Sequence, residues 1–446
     1  MSAPVAQRDP AAITLGEAHR VWVGIGLRSF GGPTAQIALM HRVLVVEHGW
    51  LEEREFLDAL GFCMLLPGPE AMQLATYAGW KLHGLIGGLL AGGWFVLPGA
   101  AVVLALSAIY ATFGHVPWIV AAFAGIKATV LVLVIEAMLR IGRRALTEPR
   151  QIAVAAASLL ALGILSAPYP LVVLAAGTLG WVWSRDRTAA SSPRPGAQPG
   201  PAARAPVAVA ATLRTVVAWL AVWALPLLGV VAAFGADHVL SQLAWFFSKL
   251  AVVTFGGAYA VLGYMSQDVV TRHGWLTAGQ MLDGLGLAET TPGPLILVTE
   301  FVGFVAAHRA HPEAALAFGF AGAAVALWAT FAPCFLWIFA GAPHLARLRE
   351  WPRLQGALGA ITSAVLGVIL SLALWFGVHV LFRQVAVLHA GPAHLLVPRL
   401  ASADPRMIAL ASLSALLLMR MRWSVHRVIA VAAALSLLLD LVLRAR

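Results

Sequence analysis

Long apolar runs, set apart by short polar punctuation, dominate the chain. Runs at 85–111, 117–139, 151–168, 214–234, 313–341, 355–382 and 428–443 carry little charge. They reach or approach the ~20 residues that a helix needs to cross a hydrocarbon core. The shorter ones span with little tilt or borrow flanking residues. Two of the interruptions are helix breakers that occur twice: "SFGGPTAQI" at 29–37 returns as "TFGGAYAVL" at 254–262, and "PGP" at 67–69 returns at 292–294.

These repeats extend to a duplication of the chain, the feature most worth seeking before any other. Phe30-Gly31-Gly32 falls on Phe255-Gly256-Gly257, and His48-Gly49-Trp50-Leu51 on His273-Gly274-Trp275-Leu276, at an offset of 225. Asp58 falls on Asp283 and Pro67-Gly68-Pro69 on Pro292-Gly293-Pro294 at the same offset. Beyond an insertion around "AHRAHPEA" the offset is 235, placing Pro98 on Pro333 and Ile126 on Ile361. The duplication predicts a first transport repeat at 1–184 and a second at 237–446. Between them, 185–213 is a linker too rich in Pro, Ala, Ser and Arg to fold alone, followed by a connector helix at 214–236.

Arginine placement orients the repeats. Arg140, Arg143, Arg144 and Arg150 follow the run at 117–139, whereas the matching stretch of the second repeat has only Arg383. Arg347, Arg349 and Arg353 precede the matching helix of the second repeat, where the first has no Lys or Arg. Basic clusters at opposite ends of equivalent helices predict inverted-topology repeats under the positive-inside rule. The linker arginines 185, 187, 194 and 204 and the late group Arg420, Arg422 and Arg427 then come out cytoplasmic. The expected count is about six crossings, one connector and six more, with the N-terminus cytoplasmic and the C-terminus periplasmic. The fold class is therefore an all-α polytopic membrane protein with broken or re-entrant helices at its site.

Composition agrees. Of 446 residues, 60% are hydrophobic and 11% charged, against about 25% charged in soluble domains. The formal charge of +10 sits at helix ends and in loops, so it orients helices and does not call for nucleic acid. Cys63 and Cys334 lie in apolar stretches and read as core residues, not as a disulfide or metal pair. The N-terminal stretch lacks the basic-then-apolar order of a cleavable signal peptide. No cofactor or metal is expected.

Non-helical backbone at membrane depth leaves N–H and C=O groups unpaired, at several kcal/mol each. It persists where it is buried in protein or lines a polar cavity. Pro33, Pro69 and Pro294 suit the first turn of a new helix, where a missing N–H is harmless. Helix N-termini at such depth offer free amides and partial positive charge, an anion site. Four breaks related by pseudo-symmetry describe a transporter with a midplane site; the bland alternative is that they only let helices pack closely.

The motifs "SFGGP", "HGWL…EF", "PGPEAMQLATYAGW", "TFGGAYAVL" and "PGPLILVTEFVGF" resemble the chromate ion transporter family in its long, two-domain form. The resemblance implies a bacterial inner-membrane carrier that exports chromate and confers resistance to it. It departs at Ala258 where the first repeat has Pro33, and at Leu295 and Val298 where it has Glu70 and Gln73, so the repeats are no longer equivalent.

Chromate is a tetrahedral dianion and needs convergent donors. Substrate-binding candidates are Arg28, Ser29, Gly31, Gly32, Pro67, Gly68, Pro69, Gln73, Lys127, Thr254, Gly256, Gly257, Thr291, Pro292, Gly293 and Pro294. Lys127 lies midway along an apolar run, with the dianion or an acid such as Glu70 or Glu136 as partner. Arg28 and Lys249 are as suited to structural ion pairs. For Ser29, Thr254, Thr290 and Thr291 the plain alternative is bonding back to helix carbonyls. Glu70, Glu289 and Glu300 are candidates for proton coupling. Asp58 and Asp283 suit holding short helices in place. His48 and His273 mark interfacial turns, with Trp50 and Trp275 as aromatic-belt anchors.

Sulfate or another small anion is the alternative cargo, indistinguishable from chromate by shape and charge. An intramembrane enzyme is the weaker reading, since HExxH, paired helical aspartates and a phosphate-binding glycine loop with its lysine are all missing. The partners implied are the anion and the lipid bilayer; the oligomeric state is open, a homodimer included.

Overall fold

A computed structural model describes residues 13–165, 167–187, 209–253, 255, 258–345, 351–390 and 393–444. The first half runs α1 (Leu15–Arg28), α2 (Gly32–His41), a π-helical turn (Arg42–Glu47), α3 (Glu53–Cys63), α4 (Glu70–Phe113), α5 (Pro117–Ala145), α6 (Pro149–Gly163) and α7 (Tyr169–Arg187). The apolar α8 (Val209–Phe234) follows and buries only Leu227, so its surface suits lipid. The second half runs α9 (Val239–Val253), α10 (Ala258–Gln267), a π-helical turn (Asp268–Arg272), α11 (Ala278–Thr290), a 3-10 turn (Leu295–Leu297), α12 (Val298–Ala310), α13 (Ala315–Gly341) and α14 (Pro352–Leu381). It ends with α15 (Pro405–Ala415), a π-helical turn (Leu416–Arg420) and α16 (Val425–Arg444). Residues 188–208 of the linker, with Arg347 and Arg349, lie outside the described residues.

Among the described residues, six helical stretches are long and apolar enough to cross a membrane: Glu70–Phe113, Pro117–Arg143, Val209–Phe234, Pro312–His344, Pro352–Leu381 and Val425–Arg444. The run at 151–168 yields the shorter α6 instead. The protein is an all-α, multi-pass membrane protein. One departure is a two-stranded antiparallel hairpin, β1 (Val385–Ala390) with β2 (Ala393–Pro398), after α14. Arg383 anchors its base by donating from Nε and Nη2 to Asp404 Oδ2 at 3.0 and 2.9 Å. Burial alone would raise the Asp404 carboxyl, but bonds from Arg383 and the Arg406 amide hold it below the usual carboxylate range.

The two His-Gly-Trp turns share one backbone pattern. After each of the first two π-turns, His48 N donates to Val43 O and His273 N to Asp268 O, at 3.1 and 2.9 Å. These are equivalent atoms under the 225 offset. The 44-residue α4 is itself broken: His83 and Gly84 leave helical geometry, Gly84 at φ 57°, ψ −145°. Its two arms fold back on each other, so close that a Cβ on Gly79 would collide with the Gly87 carbonyl. In the second half α12 and α13 meet in the same way through Gly303 and Gly322. Small residues let helix backbones approach where lipid gives no hydrophobic drive for association.

The halves interlock. α4 packs on α12 and α13; α5 sits among α11, α14, α15 and α16; α6 and α7 cover α14. Buried aromatic side chains such as Trp22, Phe95, Phe247, Phe301 and Phe376 fill the interior.

Candidate functional site

The first break is a real interruption. α1 ends at Arg28, Gly31 stands at φ 85° and Gly32 at φ 76°, and Pro33 lies in the first turn of α2. A side chain at those left-handed positions would be strained. Gly68 and Gly293 do the same in the two PGP turns, at φ 117° and 90°. The helices that start at Gly31, Pro69 and Pro294 have no side-chain cap. The starts of α1, α11 and α15 are capped by Thr14, Thr277 and Asp404.

Breaks from opposite halves meet. Gly293 N donates to Ser29 O at 2.8 Å, and Gln36 Nε2 donates to Gly293 O at 2.6 Å and to Ser29 O at 3.2 Å. Gln36 thus ties both turns together and supplies a donor to each interrupted carbonyl. α4 closes the other side of the junction, where a Cβ on Gly99 would collide with the Pro292 carbonyl. The first PGP turn is built in a related way: Gln73 Nε2 donates to Pro67 O at 2.7 Å, and a Cβ on Gly68 would sit 2.9 Å from Cys334 Sγ. Gly99 and Cys334 are equivalent under the 235 offset. Each half therefore leans one proline-containing helix on the other half's PGP turn.

Acceptors are left over beside these turns. Gln36 Oε1 and Gln73 Oε1 are buried without a hydrogen-bond partner, as are both carboxylate oxygens of the fully buried Glu300. Glu289, in the last turn of α11, is also buried. Glu70 opens α4 directly after Pro69.

Lys127 does not reach the breaks. Its Nζ lies 3.1 Å from Asp283 Oδ1, and Tyr110 Oη donates to Asp283 Oδ2 at 2.8 Å. The acidic partner is thus Asp283 of the other half, neither Glu70 nor Glu136. Its partner lies nine residues before Pro292, about 13 Å along a helical path. Lys249 pairs loosely with Asp268 at 3.8 Å and lies over the rings of Phe246 and Tyr264.

The hydroxyls follow the plain alternative. Ser29 Oγ donates to Ile25 O, Thr290 Oγ1 to Gly286 O and Leu287 O, and Thr291 Oγ1 to Ala288 O. Arg28 folds onto its own helix, Nε to Gly24 O at 2.8 Å. Trp50 is a core residue, 2% exposed, not a membrane-interface anchor. Thr254, Gly256 and Gly257 lie outside the described residues. Sequence reasoning passed over Gln36, Gly99 and Tyr110; the sign of Gln36 was a lone amide on an apolar turn whose counterpart is Val261.

The chromate transporter family matches the chain in two blocks, residues 17–181 and 241–438. This chain belongs to the chromate transporter family. A chromate transport protein from Pseudomonas aeruginosa is 34% identical over 350 residues, 77% of this chain and 76% of its own length. One from Cupriavidus metallidurans is 29% identical over 357 residues, 80% of this chain and 81% of its own. A probable chromate transport protein from Synechococcus elongatus is 27% identical over 369 residues. No solved structure matches the chain. The family blocks stop short of 182–240, which hold the linker and α8. Every break lies inside them.

Proposed function

We propose that this protein is a secondary transporter that exports chromate across the bacterial inner membrane, at a midplane site where the breaks of two inverted repeats meet. The observation that carries this reading is the junction between Ser29, Gln36 and Gly293. There Ser29 and Gly293, one from each half, are buried and joined backbone to backbone, the condition under which interrupted helices are tolerated in a membrane. Uncapped amides at the starts of α2 and α4 supply donors and positive dipole ends for a dianion. A rocking motion of one half against the other would part the turns that Gln36 joins, opening the site to one face and then the other.

Glu70 sits where an arriving anion would compete with it, and Glu300 has no partner for its charge. Uncompensated charge at this depth is costly, so both are placed to trade a proton against chromate. Uptake of chromate into inside-out vesicles, with and without a pH gradient and with sulfate in competition, tests the cargo and its coupling. Glu300→Gln should abolish stimulation by the gradient while leaving chromate binding intact. Stimulation equal to wild type would remove Glu300 from the coupling.

Inverted repeats make a separate prediction. In a background with Cys63 and Cys334 replaced by Ala, single cysteines at Thr147 and Arg383 should label from opposite faces of the membrane, Thr147 from the cytoplasm. Labelling of both from one face would contradict the inversion.

A further inference from the structure

One turn occurs three times in the described backbone. A short π-helical segment ends on a residue whose amide bonds five positions back, a left-handed residue follows, and a tryptophan amide then bonds six positions back. The closing pairs are His48–Val43 and Trp50–Leu44, His273–Asp268 and Trp275–Val269, and Met421–Leu416 and Trp423–Leu417. In two copies the left-handed residue is glycine, Gly49 at φ 62° and Gly274 at φ 63°. In the third it is Arg422 at φ 55°, the one non-glycine residue with positive φ among the described residues. Arginine there bears a conflict between Cβ and backbone that glycine lacks. The turn does not need a side chain, because two glycine copies close the same hydrogen bonds. Strain held at one residue points to a use for its side chain.

That residue borders a pocket of about 610 Å³ between α5 and the α15–α16 turn, lined also by Arg140, Arg143 and Glu136. Three arginines and one carboxylate line it, and none of the three arginines is in an ion pair among the described residues. Leu139, Met419 and Trp423, all exposed, form the rim. The pocket's lining shares no residue with the junction of Ser29, Gln36 and Gly293, although His426, next to the lining Val425, meets Phe30 of the first break ring to ring at 5.1 Å. A charged pocket at the ends of membrane helices, rimmed by an indole and aliphatic chains, matches a phosphate at headgroup level with acyl chains beside it. Guanidinium forks suit phosphate oxygens. A free oxyanion would have no use for the apolar rim.

We propose that this pocket binds the headgroup of an anionic phospholipid. The test uses the purified full-length protein in neutral detergent, titrated with phosphatidylglycerol or cardiolipin, with phosphatidylcholine as control. Native mass spectrometry and thermal unfolding report binding. Anionic lipid should bind and raise the unfolding temperature; replacing Arg140 and Arg143 by Gln together with Arg422→Gly should weaken its affinity by at least about tenfold, the loss of charge-assisted contacts. Arg422→Gly alone has a signature that a structural arginine would not show: higher stability without lipid, and a smaller gain on adding it. Unchanged lipid binding in the triple variant, or a lipid-free Arg422→Gly protein less stable than wild type, would overturn the site. Equal stabilisation by inorganic phosphate or chromate, with none from lipid, would overturn lipid as the occupant.

Discussion

Lys127→Met is expected to destabilise the protein by roughly 3–5 kcal/mol, the loss seen when one partner of a buried ion pair is removed. The change strands Asp283, whose side chain is 6% exposed and whose other contact is the Tyr110 hydroxyl. Adding Asp283→Asn should recover most of the loss, because the amide can keep the tyrosine bond without an uncompensated charge. A double-mutant cycle read by thermal unfolding in detergent isolates this coupling. Had the dianion been the partner of Lys127, the single methionine variant would be at least as stable as wild type and defective only in transport. The observed pair favours the structural role, and a stable single variant would contradict it.

The second large effect concerns Gly99. A methyl group at this position collides with the Pro292 carbonyl, so Gly99→Ala must push α4 away from the second PGP turn. Displacement of about an ångström at a working site costs on the order of a hundredfold in rate, and transport should fall by that order. Gly61→Ala in α3 is the control: nothing lies within 4 Å of its added Cβ, and alanine favours a helix by about 1 kcal/mol over glycine. That variant should transport normally. Equal activity of the Gly99 and Gly61 variants would leave the PGP turns with a packing role alone.

Much of this was legible because Gly-Gly-Pro and Pro-Gly-Pro constrain their own backbone. Gly31, Gly68 and Gly293 take the positive φ that glycine allows, and the duplicated His-Gly-Trp turns close the same hydrogen bonds. What escaped depends on contacts between distant residues. Gln36 and Gly293 lie 257 residues apart. The partner of Lys127 is in the other half, while Glu136 merely lies closer in sequence. Apolar stretches hide short helices, too: the glycine contact that folds α4 on itself leaves no break in hydropathy, and the two six-residue strands after α14 look like the end of a membrane run. Tryptophan in an interfacial-looking turn is equally ambiguous, and Trp50 turned inward.

The central claim is that chromate passes where the two halves' broken helices are tied by Gln36. Its most direct test is chromate uptake into inside-out vesicles containing wild-type protein or Gln36→Leu, with folding checked by thermal unfolding. The wild type should take up chromate in a saturable way, and the folded leucine variant, which cannot donate to Ser29 O or Gly293 O, should lose that uptake. A folded Gln36→Leu protein with wild-type uptake would contradict the account.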